Sequence, residues 1–260
     1  MPENLHLQHL RCETHDGLLD LCIDKPKGNV FDGALMRELE AALSHFASDT
    51  ALRLVLLRAA GSHFSFGASI EEHQPDQAAG MLRQFHSLIR KIALFPVPVA
   101  VLVQGKCLGG AFEVALAATF VLCTPDASFA CPEIHLGVIP PVLGVLGPQR
   151  LGGPLAERLL LTGAPLDAQA GLQAGWVSTL VSQQEPHRDA VAWYRTHLQP
   201  RSALAIRVGL KLARQPVQAL CAEPLDQAEA LYLQELLPSH DGNEGIAAFL
   251  ARRAPLWTHS

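Results

Sequence analysis

Two glutamates stand in otherwise apolar text, and a glycine pair precedes them. Between Gly105 and Gly137 the chain reads GKCLGGAFEVALAATFVLCTPDASFACPEIHLG. Gly109-Gly110 follows the apolar run Val97 to Val103 and precedes a helical pattern, Ala111 to Ala118. A strand–glycine–helix junction of this kind presents backbone N–H groups at a helix start, where negative charge is stabilised. Glu113 falls one turn into that helix, and Glu133 follows Cys131-Pro132. A buried, unpaired carboxylate is costly, so carboxylates in such a setting point to use. Amide donors beside two glutamates suit acid/base chemistry on a carbonyl compound.

GGAFEVAL and CPEIHLGVIP resemble the two signature segments of the crotonase (enoyl-CoA hydratase/isomerase) superfamily. HFSFGASIEEH, His63 to His73, resembles that family's first oxyanion segment. Three segments in order make a specific signal, and the resemblance runs from DKPKGNVFDGALMRELEAAL to DGNEGIAAFLARRAPLW. It implies that the N–H groups of Ala68 and Gly110 hold a thioester oxygen as it gains charge. Family hydratases carry glutamate at both the Glu113 and Glu133 positions, where the pair manages a water molecule. The implied division gives Glu133 the proton exchanged with the substrate carbon and Glu113 the water. Lys25, Lys27, Phe66, Gly67, Ser69, Ile70, Gly109, Cys131, Pro141 and Val142 are the implied substrate and CoA contacts, with Arg252 or Arg253 contributing across a subunit boundary. Ser69 stands where many members have Asp. No metal and no cofactor is expected, because CoA is part of the substrate.

FSFGASIEEH, KCLGG and IPPVLGVLGPQRLG look similar to family members that act on cyclic dienoyl-CoA thioesters in anaerobic benzoyl-CoA degradation. Cys131 and Pro140-Pro141-Val142-Leu143 are bulkier or more apolar than the common pattern, which suggests a reshaped acyl pocket. The implied reaction is 1,4-addition of water to cyclohexa-1,5-diene-1-carbonyl-CoA, giving 6-hydroxycyclohex-1-ene-1-carbonyl-CoA. The alternatives are a short-chain 2-enoyl-CoA hydratase or isomerase, and a CoA-ester-binding scaffold without turnover.

The remaining residues must position these groups. The chain's 260 residues, 49% hydrophobic, suffice for one large core. A net charge of -5 without a basic block argues against nucleic acid or anionic membrane as partner. The N-terminal residues lack a signal-peptide order, and no apolar run approaches the roughly 20 residues that span a bilayer. Six cysteines without a CxxC pair read as reduced thiols of a cytoplasmic protein. His63, His73, His86 and His135 show no metal-ligand spacing and read as surface or supporting residues, with His135 able to tune Glu133. Trp193, Trp257 and Phe85 read as core or interface.

In order, Leu5 to Cys12 and Leu18 to Asp24 read as a hairpin about Asp16-Gly17. Asp32 caps a helix to about His45 with Leu35, Leu39 and Leu43 inward. Leu52 to Leu57 is a strand. A helix from Asp76 with stripe Met81, Phe85, Leu88, Ile89 and Ile92 ends before Pro96, and Val97 to Val103 is a buried strand. IPPVLGVLGPQRLGG reads as loop. Helices follow at Pro154 to Thr162 and Asp167 to Ala174, then a strand at Trp176 to Val181. The helices His187 to Leu198, Ser202 to Arg214, Leu225 to Leu236 and Asn243 to Arg252 complete the chain. Strand–helix alternation alone implies a doubly wound parallel sheet. The resemblance replaces it with an α/β crotonase spiral of ββα turns over 1–185, and a C-terminal helical oligomerisation region over 186–260. It implies a homo-oligomer, a trimer or dimer of trimers.

Overall fold

Asp16 and Gly17 both take positive φ, 51° and 84°, the requirement of a two-residue type I′ turn. They join β1 (Leu10–His15) to β2 (Leu18–Ile23) as an antiparallel pair, His15 opposite Leu18. The turn is where the sequence put it, but the first strand is Leu10–His15, running past Cys12 to the turn. This computed structural model describes residues 7–260, so Leu5 and His6 lie outside the described residues. Asp32 caps α1 (Gly33–Phe46) by accepting from the Leu35 N–H at 3.0 Å. Then come β3 (Leu54–Ala59), α2 (Ala78–Ala93) and β4 (Val99–Val103). The α2 stripe is buried as expected, although the helix starts two residues after Asp76 without a side-chain cap.

Next are β5 (Lys106–Leu108), α3 (Gly110–Ala117), β6 (Phe120–Cys123) and β7 (Ser128–Ala130). A 3-10 turn, Pro132–Leu136, leads to α4 (Pro141–Leu151) and α5 (Gly153–Thr162). β8 (Leu166–Asp167), α6 (Ala168–Gln173) and β9 (Thr179–Leu180) follow. The rest is helical: α7 (Pro186–His197), α8 (Ala203–Ala213), α9 (Gln215–Leu220), α10 (Glu223–Leu231), a π-helical stretch Tyr232–Leu236, and α11 (His240–Leu250).

The larger sheet has the order β1-β2-β3-β4-β6-β9, parallel after the first pair. The order advances in one direction. Right-handed crossovers then lay successive helices on one face, whereas a doubly wound sheet reverses and covers both. The pattern-only expectation fails here and the spiral holds. Alternation along the strands serves two cores. Leu19, Leu21, Val55, Leu57, Val99 and Val101 join the main core with α1, α2 and α3, while Leu18, Leu54, Leu56, Ala100 and Leu102 meet Ala190 and Tyr194 of α7. The second sheet, β5-β7-β8, is small.

The stretch read as loop after Gly137 is helix α4. Pro141 sits at its first turn, where a missing N–H costs nothing. Pro148 lies inside it, on the exposed side with Gly144, so the carbonyl it leaves without a helical donor faces water. The strand expected over Trp176 to Val181 is reduced to the two residues of β9.

Candidate active site

The α3 helix is the site's spine, and all eight of its residues are buried. A helix buried throughout must satisfy its free ends internally. At the C-terminal end two arginines do this. Arg150 donates to the carbonyls of Leu116 at 3.1 Å and Ala118 at 2.8 Å, and Arg214 donates to that of Ala117 at 3.1 Å. Cationic groups at a helix C-terminus also oppose its partial negative charge. At the other end Gly109 adopts φ 52°, and its N–H donates to the Ala130 carbonyl at 2.7 Å. A Cβ on Gly109 would lie 2.6 Å from Glu133 Oε1, so only glycine lets that carboxylate come so close.

Glu113, 3% exposed, points from α3 to the start of α4. Its Oε1 accepts from the Leu143 N–H at 3.0 Å. Burial pushes its carboxyl up to about 7, against the opposing pull of the Leu143 and Val142 N–H groups. The segment misread as loop is thus a helix whose free N-terminal amides hold a carboxylate. Glu133 stands in the 3-10 turn that Pro132 begins and Gly137 closes. Its Oε2 is buried and has no hydrogen-bond partner among the described residues. Burial first, and the Glu113 charge second, push the Glu133 carboxyl up to about 8.

Ala68 and Gly110 are neighbours, because a Cβ on Gly110 would lie 3.4 Å from that of Ala68. Among the described residues neither amide donates to a protein acceptor, although Ser69 and Gly109 on either side both do. Phe85 closes over Gly110 from α2, its ring 3.1 Å from where a Cβ would stand.

Two small adjoining cavities meet here. The inner one, about 20 Å³, is lined by Ala68, Gly110, Glu113, Glu133 and Pro141, with Phe85, His73 and Tyr232 among its other walls. Such a volume holds about one water. The outer one, about 60 Å³, is lined by Phe66, Gly67, Ala68, Ile70, Gly109 and Glu133, with His73 and Leu136. Glu133 borders both, and Glu113 only the inner one.

Five sequence-chosen contacts lie outside both cavities. Cys131 is fully buried behind Gly109, its thiol 3.8 Å from the Gly109 carbonyl. Val142 contributes its N–H, not its side chain, which is in the core. Ser69 turns back to Glu71 at 3.0 Å. Lys25 is paired with Asp32. Lys27 is exposed, with φ 63°. The Lys25 to Gly28 loop nonetheless abuts the oxyanion segment, since the Phe66 N–H donates to the Gly28 carbonyl at 3.0 Å and the Phe31 N–H to that of Gly67 at 2.9 Å. Arg253 pairs with Glu244 at 2.7 Å. His135 meets the Thr162 carbonyl rather than Glu133.

Two cavity residues carried no local signal. His73, taken for a supporting residue, lines both cavities, its Nδ1 2.7 Å from the Ser69 carbonyl. Tyr232 comes from the stretch Leu225 to Leu236, which the sequence showed only as a helix.

Residues 13–260 match the enoyl-CoA hydratase/isomerase family. The chain belongs to that family. It is 42% identical over 245 residues to a cyclohexa-1,5-dienecarbonyl-CoA hydratase of Thauera aromatica, covering 94% of each chain. It is 31% identical over 267 residues to the carnitinyl-CoA dehydratase of Escherichia coli K12, covering 99% of each. Among solved structures, an enoyl-CoA hydratase from Mycobacterium avium subsp. paratuberculosis superposes with a TM-score of 0.81 at 26% identity, over 97% of this chain and 99% of that one. The fold is the family's α/β fold, and the family member described here is a hydro-lyase. Among the described residues no helix is long and apolar enough to cross a membrane, and no cluster of metal-ligating side chains occurs.

Proposed function

We propose that the protein adds water in the 1,4 sense to cyclohexa-1,5-diene-1-carbonyl-CoA, giving 6-hydroxycyclohex-1-ene-1-carbonyl-CoA, within benzoyl-CoA degradation. The observation that carries water addition is the carboxylate pair on one water-sized cavity beside two unengaged amides. The ring substrate rests on the 42% identity to the Thauera hydratase.

The geometry supports the following course. The Ala68 and Gly110 amides donate to the thioester oxygen. Glu113, held by two N–H groups, is the carboxylate better kept ionised, and it takes a proton from water as the water oxygen bonds to ring carbon C2. The C1–C2 π electrons move to the thioester oxygen, forming a dienolate stabilised by the amides. Losing one such donor typically costs about 3–4 kcal/mol. Glu133, without a donor on Oε2 and beside a second carboxylate, keeps its proton near neutrality and delivers it to C5. The C5–C6 π pair forms the new C5–H bond, the π pair between C1 and the thioester carbon becomes the C1–C6 double bond, and the oxygen's pair restores the carbonyl, with which that double bond is conjugated. The dianionic and diprotonated forms of the pair are both unproductive.

The CoA moiety lies along the outer cavity. Phe66, 49% exposed, and Ile70 flank the pantetheine, and Lys27 reaches the phosphates. The protein works as a homo-oligomer in the cytoplasm. An assay of the cyclic dienoyl-CoA against crotonyl-CoA in heavy water tests the reading. Faster turnover of the ring and deuterium at C5 are expected. A preference for crotonyl-CoA, with deuterium at the α-carbon, would establish ordinary 1,2-hydration instead.

A further inference from the structure

Tyr232 is 1% exposed, yet its hydroxyl has no hydrogen-bond partner among the described residues. A buried phenol usually finds one. Its side chain lines the inner cavity with Glu113, Glu133 and Gly110. Burial, and then the charges of Glu133 and Glu113, push the phenol well above its ordinary range, so it remains a donor.

The segment that carries it is held in place. Glu229, three residues earlier on α10, meets Nδ1 of fully buried His86 on α2 at 2.6 Å. On the same helix Arg90 pairs with Asp226 and donates to the Cys221 carbonyl at 2.7 Å. α10 is thus tied to α2 at two levels, and the π-helical stretch begins at Tyr232 itself. Such local widenings concentrate at functional sites.

We propose that Tyr232 is a third catalytic residue, whose hydroxyl donates a hydrogen bond to the oxygen that enters as water and leaves on the product as the ring hydroxyl. The two glutamates accept protons from this oxygen or hold them for carbon, and the two amides serve the thioester. Among the side-chain groups of the inner cavity, the phenol supplies a neutral donor to the nucleophile's lone pair. It fixes which lone pair faces the β-carbon, and it recognises the hydroxylated product but not the dehydrated thioester.

The inference rests on the hydratase reading, and the Tyr232→Phe variant tests it separately. The wild-type protein is first assayed with the cyclic dienoyl-CoA and with crotonyl-CoA, and the faster substrate is used throughout. For Tyr232→Phe, a fall in kcat of about 10- to 100-fold is expected, with the KM of the unsaturated thioester within about 2-fold of wild type. The inhibition constant of the hydroxyacyl-CoA product should weaken about 5- to 20-fold. Because the hydroxyl has no partner among the described residues, the variant's thermal midpoint should equal or exceed that of wild type. Unchanged kcat and product affinity would overturn the assignment while leaving the hydratase intact. A lowered midpoint with equal loss of affinity for both thioesters would reduce Tyr232 to a structural residue. A wild-type protein that hydrates neither thioester would overturn the hydratase reading and this inference with it.

Discussion

At the scale of single residues, the site is two carboxyl groups that burial has driven up and neighbouring donors have made unequal. The proposed course needs Glu113 ionised and Glu133 protonated, so it expects kcat/KM to trace a bell. Its acid limb should sit near neutrality instead of at ordinary carboxylate values, because Glu113 is raised to about 7. Glu113→Gln and Glu133→Gln should each lower kcat by about 10²- to 10⁴-fold. Stability should respond in the opposite sense to activity. Folded Glu133 holds its proton to about 8, whereas unfolded it releases it near the ordinary glutamate value of 4.5. The unfolded state therefore binds fewer protons between these limits, and stability falls as pH rises through that window. Glu133→Gln should flatten this slope and unfold at a higher temperature than wild type at pH 8, as differential scanning calorimetry would read. Both glutamates were visible in the sequence because charge in apolar text stands out. Tyr232 was not, because an aromatic residue in a helical stripe looks like any core residue until folding brings it to the cavity.

At the scale of elements, α3 and α4 make one unit: α3 presents Glu113, α4 receives it on its first amides, and Arg150 of α4 returns to close the C-terminus of α3. Arg150→Met keeps the apolar stem and removes the donors. It should cost about 2–4 kcal/mol, since the Leu116 and Ala118 carbonyls lose a charged partner. It should lower kcat more than it raises KM, because the displaced helix carries both Gly110 and Glu113. Chemical unfolding and steady-state kinetics measure the two effects. The sequence showed α1 through its cap and stripe and α2 through its stripe, and it also placed helices at α5, α6, α7, α8, α10 and α11. It hid α4, because three prolines and four glycines in IPPVLGVLGPQRLGG are loop composition. Tertiary context overrode propensity there: Pro141 occupies the first turn, Pro148 faces solvent, and the buried Leu143, Leu146 and Leu151 anchor the helix. The short strands β5 and β7 were equally hidden, since three residues carry no periodicity.

At the scale of the whole molecule, one helix lacks an inside. No residue of α8 is buried. Its Leu204, Val208 and Leu212, four apart and so on one face, are 71%, 62% and 68% exposed. A stripe of this kind on a well-formed helix marks a contact surface, because water is a poor neighbour for it. The resemblance that located the site implies that further copies of the chain meet its C-terminal helices. Light scattering should therefore return a mass that is a multiple of 28.0 kDa, with three or six copies expected. Leu204→Glu with Val208→Glu places like charges across each contact and should release monomers. α8 packs little within its own chain, so the released monomer should keep its helix content by circular dichroism. The active-site helices α2, α3, α4 and α10 bear on one another within one chain. Loss of hydration should then follow from weaker CoA binding at the subunit boundary, seen as raised KM with kcat retained. A variant that stays assembled would move the contact elsewhere. A monomer with unchanged KM would show that Lys25, Lys27 and the oxyanion segment of one copy suffice for the thioester.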